Sequence, residues 1–285
     1  MVNYILYRMG QFIALSVPLN IAYKIAVSFS DLHYFFAAKD RRAVGENLRI
    51  IFPDKPEREI RRIRIRVFRN FAKYLVDFFR FSKVDEEYIR KNIRVENMHY
   101  FEEALKEGKG VIVLSVHIGN WELGAALIAL LGFPLWIVVL PHKEGKVDHF
   151  FNFQRESKGV KVMPVGRAAR ACLHLLKENK MVALLGDRDF TEKGVVLDFF
   201  GKPAFFPEGP AAFALRTGSS IVPGFMLRNS DDTFTLRIER PFKFIPGADK
   251  KQDIANAISQ YKLIFEEYIR KYPDQWYMFR RFWVD

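Results

Sequence analysis

Three textures of apolar and polar positions follow one another along this chain. Residues 2–29 are largely apolar (VNYILYRMGQFIALSVPLNIAYKIAVSF) but are broken by Arg8, Pro18 and Lys24. A spanning helix needs about 20 apolar residues in a row, and the longest uncharged run, Met9 to Tyr23, falls short. The segment also lacks the compact basic–apolar–small order of a secretory signal. The pattern predicts a tilted anchor or a helix lying in a membrane interface. A second texture follows in EREIRRIRIRVFRNFAKYLVDFFRF, with apolar residues at Ile60, Ile63, Val67, Phe71, Tyr74, Leu75 and Phe78. Offsets of three and four describe one face of a long helix, with arginines covering the rest.

The third texture begins near residue 95 and reads as α/β. Strands are predicted over 108–116, 134–140, 160–165, 180–187, 219–228 and 233–240, and helices over 121–132, 168–178, 210–218 and 253–272. Strands that alternate with helices imply a mainly parallel central sheet flanked by helices. The expected organisation is an N-terminal helical, membrane-facing arm over 1–90 and an α/β catalytic domain over 91–285.

Charge sharpens the picture of the arm. The 285 residues carry 45 Lys/Arg against 33 Asp/Glu, a net charge of +12, and residues 39–73 alone hold twelve basic and five acidic side chains. Such an excess calls for an anionic partner. An apolar segment followed by a basic amphipathic helix favours an anionic membrane surface. Nucleic acid is the rival for arginine interleaved with aromatics, yet no nucleic-acid-binding fingerprint accompanies it. The single cysteine, Cys172, excludes an internal disulfide framework and fits a reducing compartment. Paired Cys/His clusters are absent from the sequence, so no metal centre is expected.

Candidate chemistry sits in SVHIGNWELG, where His117 follows the strand expected over 108–116. In open α/β sheets functional groups gather where strands end and helices begin. On one continuous helix His117 and Glu122 would point about 140° apart. With His117 in the turn, bent by Gly119–Asn120, Glu122 falls in the first helical turn and the two side chains converge. A carboxylate on an imidazole fixes its tautomer, and neutral imidazole can then deprotonate a hydroxyl. The spacing alone fits equally a capping histidine and a first-turn acid favoured by the helix dipole. Neither a nucleophile-elbow serine nor HExxH occurs, which argues against serine and zinc hydrolases.

VHIGNWELG is similar to the H-x4-E block of the bacterial lipid A late acyltransferases (the lauroyl and myristoyl transferases) and their glycolipid acyltransferase relatives. ENLRIIFPD resembles their N-L-x3-F-P signature, and FNFQRESKGVKVMPV their arginine ahead of a glycine and a strand. LLGDRDFTEKGVVLDFFGKPAFFPEGPAAFALRTGSSIVP resembles their D-x-D…FFG…VP stretch, and PDQWYMFRRFW their Q-W ending with paired arginines. The blocks occur in family order over nearly the whole chain.

The resemblance implies transfer of a fatty acyl group from an acyl carrier protein or coenzyme A thioester to a lipid or glycolipid hydroxyl. No further cofactor is implied. Location at the inner face of the cytoplasmic membrane follows, monotopic or held by one N-terminal anchor. By the same likeness His117 is the general base, Glu122 its orienting partner and Arg155 a contact to the oxyanion or headgroup. Asp187, Arg188 and Asp189 are substrate-binding or His117-supporting candidates. Glu208 and Gly209 resemble the acidic-glycine block of glycerolipid acyltransferases, although Pro210 and Ala211 replace the expected threonine and arginine. Phe279 stands where lipid A transferases commonly carry a histidine. Phenylalanines 199, 200, 205, 206 and 213 are candidates for lining an acyl groove, and a Phe-rich core is the plainer use for them. A lysophospholipid or glycerolipid acyltransferase and a non-catalytic basic lipid-binding protein remain the alternative readings.

Overall fold

A computed structural model describes residues 2–189 and 194–284; residues 190–193 of the D-x-D stretch lie outside it. Pro18, with no N–H to give and a ring that clashes with the preceding turn, divides the apolar opening into helices α1 (Val2–Ser16) and α2 (Leu19–Phe36). Helix α3 (Ala38–Ile51) follows, and Pro53 and Pro56 separate it from α4 (Glu57–Phe79). No helix among the described residues is long and apolar enough to cross a membrane. On α4 the residues Ile60, Ile63, Val67, Tyr74 and Phe78 are buried, while Arg58, Arg61, Arg62, Arg66 and Arg69 face outward.

The remaining elements are α5 (Glu86–Asn92), β1 (Ile93–Glu96), α6 (His99–Lys106), β2 (Val111–Ser115), α7 (Trp121–Leu130), β3 (Leu135–Val139), α8 (Gly145–Glu156), β4 (Lys161–Pro164), α9 (Val165–Lys177), β5 (Met181–Leu185), a β6–β7 hairpin (Val195–Phe199, Lys202–Phe206), α10 (Gly209–Thr217), β8 (Ser220–Arg228), β9 (Phe234–Ile238) and α11 (Lys250–Lys271). Seven strands form one sheet in the order β1-β9-β8-β2-β5-β3-β4. Neighbours pair in parallel, except that β9 runs antiparallel to β8. The α/β architecture with a mainly parallel sheet is therefore as the alternation of strands and helices implies.

Two apolar layers cover the sheet. Strand positions Val111, Val113, Leu135, Ile137 and Met181 face α7, α8 and the N-terminal helices, whose Tyr23, Phe78 and Phe79 share that core. Ile112, Leu114 and Val182 face α9, α10 and α11. Period-two alternation of this kind sends successive side chains to opposite faces. A third cluster joins α3 to α4 around Leu48, Ile63 and Val67 and reaches Tyr277.

Candidate active site

Strands β2 and β5 are adjacent, parallel and in register, with Ser115 opposite Leu185. His117 and Asp187 each lie two residues beyond that pair, so they emerge side by side at the carboxyl edge of the sheet. His117 Nδ1 is 2.6 Å from Asp187 Oδ1. Asp187 is fully buried, and its Oδ2 accepts bonds from the His117 backbone N–H at 2.9 Å and from Trp276 Nε1 at 3.0 Å. Burial alone would raise this carboxyl. The His117 imidazole, through charge and hydrogen bonds, and the Arg188 guanidinium more than reverse that and hold it at about 2. At neutral pH Asp187 is thus an acceptor only, so Nδ1 carries the proton of this bond, and in the neutral imidazole Nε2 is the acceptor.

The turn that delivers His117 is fixed from both sides. Gly119 adopts φ +62°, and a Cβ there would sit 2.0 Å from the Met226 carbonyl oxygen, so only glycine fits. Gly119 N–H donates to Gln275 O, Asn120 N–H to Met226 O, and Tyr277 N–H to His117 O. Asn120 then caps α7 by accepting from Leu123 N at 3.1 Å, satisfying a donor that the first helical turn leaves open. Its Nδ2 donates to Asp77 Oδ2 at 2.9 Å. Asp77 is buried and also bonds the Tyr23 hydroxyl and the Arg228 guanidinium. Burial raises Asp77 despite the pull of Arg228.

Glu122 stands in the first turn of α7 as expected, but its partner is not His117. Both of its carboxylate oxygens are taken by Arg155, at 2.9 Å from Nε and 2.6 Å from Nη2. Arg155 Nη1 donates to Asn152 at 3.0 Å. The expected convergence of His117 with Glu122 therefore gives way to two pairs, His117–Asp187 and Glu122–Arg155. The reason is register, because the parallel neighbour of β2 presents its own carboxylate at the level of the imidazole. Arg155, expected at an oxyanion or headgroup, has its fork committed to Glu122. Buried pairing of this bidentate kind is geometrically specific.

A cavity of about 890 Å³ opens over these groups. His117, Glu122, Arg155, Arg188, Asp189, Glu208 and Gly209 all line it, and Asp187 lies behind His117. Arg188 donates from Nη2 to Tyr277 O at 2.7 Å, whereas its buried Nε has no partner among the described residues. Asp189 accepts from Gly194 N at 2.8 Å. Glu208 precedes α10 without a side-chain capping bond. Small and apolar residues make the deeper walls, among them Val113, Gly124, Ala125, Ile128 and Ala183. Of the five phenylalanines expected there, only Phe213 lines the cavity. Phe199 and Phe206 are fully buried and pack on Phe282, a core role. Among the described residues no cluster of three or more His, Cys, Asp or Glu is placed to hold a metal ion.

Several site residues escape the sequence pattern. Trp276 acts on Asp187 from a segment that has no regular period, and His142 lines the cavity from the loop after β3. Burial and the nearby Arg155 push the His142 imidazole down. The signal for Asp187 was its place at the end of the strand expected over 180–187 and in the D-x-D stretch; the offset of two residues that it shares with His117 appears only in the structure.

The depressed carboxyl carries a stability consequence. A folded value near 2 lies below the value of about 3.9 for an unfolded aspartate, so the ionised group stabilises the fold above pH ~4 and this contribution fades as pH falls toward 2. Its size at neutral pH is on the order of 2 kcal/mol. Urea unfolding of the unaltered chain and of Asp187→Asn should show a gap of that size at pH 7 that narrows by pH 3. An unchanged gap would sink this account of Asp187.

The family model for bacterial lipid A biosynthesis acyltransferase matches residues 1–284. The chain is 27% identical over 220 residues to a phosphatidylinositol mannoside acyltransferase of Mycolicibacterium smegmatis, covering 75% of this chain and 70% of that protein. It is 26% identical over 274 residues to a lipid A biosynthesis acyltransferase of Haemophilus influenzae, covering 94% and 86%. Against a lipid A biosynthesis lauroyltransferase of Escherichia coli it is 21% identical over 273 residues, covering 95% and 88%. A match of that extent takes in every segment from which the cavity and its two ion pairs are built, and the chain belongs to the bacterial lipid A biosynthesis acyltransferase family and is an acyltransferase.

Proposed function

We propose that this acyltransferase works at a membrane surface, moving a fatty acyl group from an acyl carrier protein or coenzyme A thioester to a hydroxyl of a lipid or glycolipid, with His117 as the general base. The observation that carries the reading is the His117–Asp187 hydrogen bond beneath an apolar cavity. His117 Nε2 takes the proton of the acceptor hydroxyl while that oxygen attacks the thioester carbonyl carbon. The tetrahedral oxyanion collapses, the C–S bond breaks, and the thiolate leaves with the proton from Nε2. Asp187 stabilises the imidazolium between the two steps. Arg188, which lines the cavity, offers positive charge to the oxyanion or to a headgroup phosphate. Glu122 and Arg155 hold the first turn of α7 and the acceptor side of the cavity, with Asp189, Glu208 and Gly209 along its rim.

Membrane contact is supported by α1 and α2, where Leu6, Phe12, Phe29, Phe35 and Phe36 are exposed apolar side chains. An apolar surface of this kind marks an interaction face. The outward arginines of α4 fit anionic headgroups, and also an acidic carrier protein. Residues 1–90 on this reading are the membrane-facing arm, and 91–285 carry the chemistry, at the inner face of the cytoplasmic membrane. Acceptors of the lipid A and phosphatidylinositol mannoside types are favoured by the relatives' names.

The test is incubation of the purified chain in vesicles with labelled acyl carrier protein and coenzyme A thioesters. Lipid A precursor, mannosylated phosphatidylinositol and lysophosphatidic acid serve as parallel acceptors. Ester formation on one of the glycolipids supports the proposal, product only on lysophosphatidic acid supports a glycerolipid enzyme, and no ester on any acceptor defeats both. Ala125→Phe projects a ring from α7 into the apolar part of the cavity. It should lower selectivity for long over shorter acyl donors by roughly tenfold, since excluding two methylenes forfeits about 1.6 kcal/mol. Competition between donors of different length reads this directly.

A further inference from the structure

A second cavity, of about 560 Å³, lies between α1, α2 and α4 and takes no part in the chemistry described above. Space for it exists because Gly10, Ala22, Ala26 and Ala72 stand where larger side chains would close the helix interface. Gly10 also lets α1 approach α4, since a Cβ there would lie 2.9 Å from the Phe79 ring. Its walls are apolar but for Ser30, His33 and Asp40. Ile13 and Phe29 belong both to these walls and to the exposed apolar face of α1 and α2, so the mouth opens on that face. At the inner end Phe71, Leu75 and Phe279 line this cavity and the active-site cavity alike.

We infer that the second cavity seats an acyl chain that the lipid acceptor already carries, admitted sideways from the bilayer between α1 and α2. The inference rests on the acyl-transfer reading and adds to it the place where the lipid acceptor's own hydrocarbon chain is held. Three observations single out this occupant. An apolar mouth within an apolar surface admits hydrocarbon and disfavours a headgroup or a peptide backbone with unpaired polar groups. A volume of this size is in the range of pockets that enclose small ligands. The shared wall puts the occupant one side chain away from the cavity of His117, where the hydroxyl of the same molecule must lie. The thioester donor, whose carrier is water-soluble, has no reason to arrive through the bilayer face. Phe71 and Phe279 then separate the acceptor's chain from the chain in transfer.

The test uses the full chain bound to vesicles of phosphatidylethanolamine and phosphatidylglycerol doped with a phospholipid that carries a diazirine in its acyl chain. Illumination should label residues of the cavity interior on α2 and α4, and Ala26→Phe should reduce that label at least fivefold. In transfer assays Ala26→Phe and Ala72→Phe should raise KM for a chain-bearing acceptor at least tenfold relative to a chainless acceptor with the same headgroup. Thermal unfolding confirms that each variant is folded. Label confined to exposed residues such as Phe12, Phe35 and Phe36 overturns the assignment. So does labelling of this cavity by a diazirine-bearing acyl coenzyme A instead of the phospholipid, or interior cross-links between two copies of the chain. Photolabelling needs no turnover, so a chain that labels inside but transfers to no acceptor counts against the acyl-transfer reading alone.

Discussion

Replacing His117 by alanine should slow acyl transfer about 10³-fold, which corresponds to roughly 4 kcal/mol of transition-state stabilisation. The imidazole meets a fully buried carboxylate at 2.6 Å, a pairing that orients the ring and places the proton of that bond on Nδ1, so that Nε2 is the acceptor of the neutral imidazole. Asp187→Asn should approach the same loss by another route. An amide nitrogen opposite Nδ1 favours the tautomer with its proton on Nε2, which is unable to accept one from the hydroxyl. The two losses should not add, because both remove one base. Single-turnover transfer from a labelled thioester in vesicles measures all three variants. Transfer by His117→Ala within tenfold of the unaltered chain would remove histidine from the mechanism. Glu122→Gln provides the contrast: it weakens the Arg155 clamp and leaves His117 with its own carboxylate.

The second large effect is on stability. Asp77→Ala should cost about 3–5 kcal/mol, because the buried Arg228 loses its buried carboxylate and keeps only the partly exposed Asp232, at 3.3 Å, as a counter-charge. The same change removes acceptors from Tyr23 on α2 and from Asn120 at the cap of α7. Urea unfolding should place Asp77→Ala far below the unaltered chain, and the paired change Asp77→Leu with Arg228→Met should recover more than half of the loss. If the single variant loses less than 1 kcal/mol, the pair is not holding the helices together as described. Where Asp77→Ala still folds, its transfer rate should fall as well, since Asn120 adjoins the turn that bears His117.

Much of this was legible because its physics is local. The apolar run over 219–228 and the alternation over 233–240 gave strands that appear as Ser220–Arg228 and Phe234–Ile238. The three-and-four spacing of Ile60, Ile63 and Val67 gave a helix that ends within two residues of the expected place. His117 and Glu122 were legible as a turn followed by a helix start. Asp187 and Arg155 were named as candidates through the resemblance, but which of them pairs with which was not legible. Asp187 joins His117 through strand register across 70 positions, and Arg155 meets Glu122 from the far end of α8; neither relation leaves a local period. The hairpin Val195–Phe206 was missed for a different reason, since its run of phenylalanines reads equally as groove, core or strand. Packing on Phe282 and Trp283 decided for core.

The segment 275–282 closes over the site and has a further consequence for how the protein is made. Trp276 bonds Asp187, Tyr277 bonds the backbone of His117, and Asn47 Nδ2 donates to the carbonyls of Met278 at 3.1 Å and Arg280 at 2.8 Å. These contacts join positions separated by as many as 233 residues, and such distant closures form late because the loop entropy must be met first. On the ribosome, a nascent chain that has already folded β2 and β5 still lacks Trp276 and the bond that sets the His117 backbone. Its exposed apolar arm can reach a membrane well before its histidine is oriented. On the proposed membrane reading, delivery to the bilayer precedes chemical competence, and a half-made chain meets lipid without acylating it.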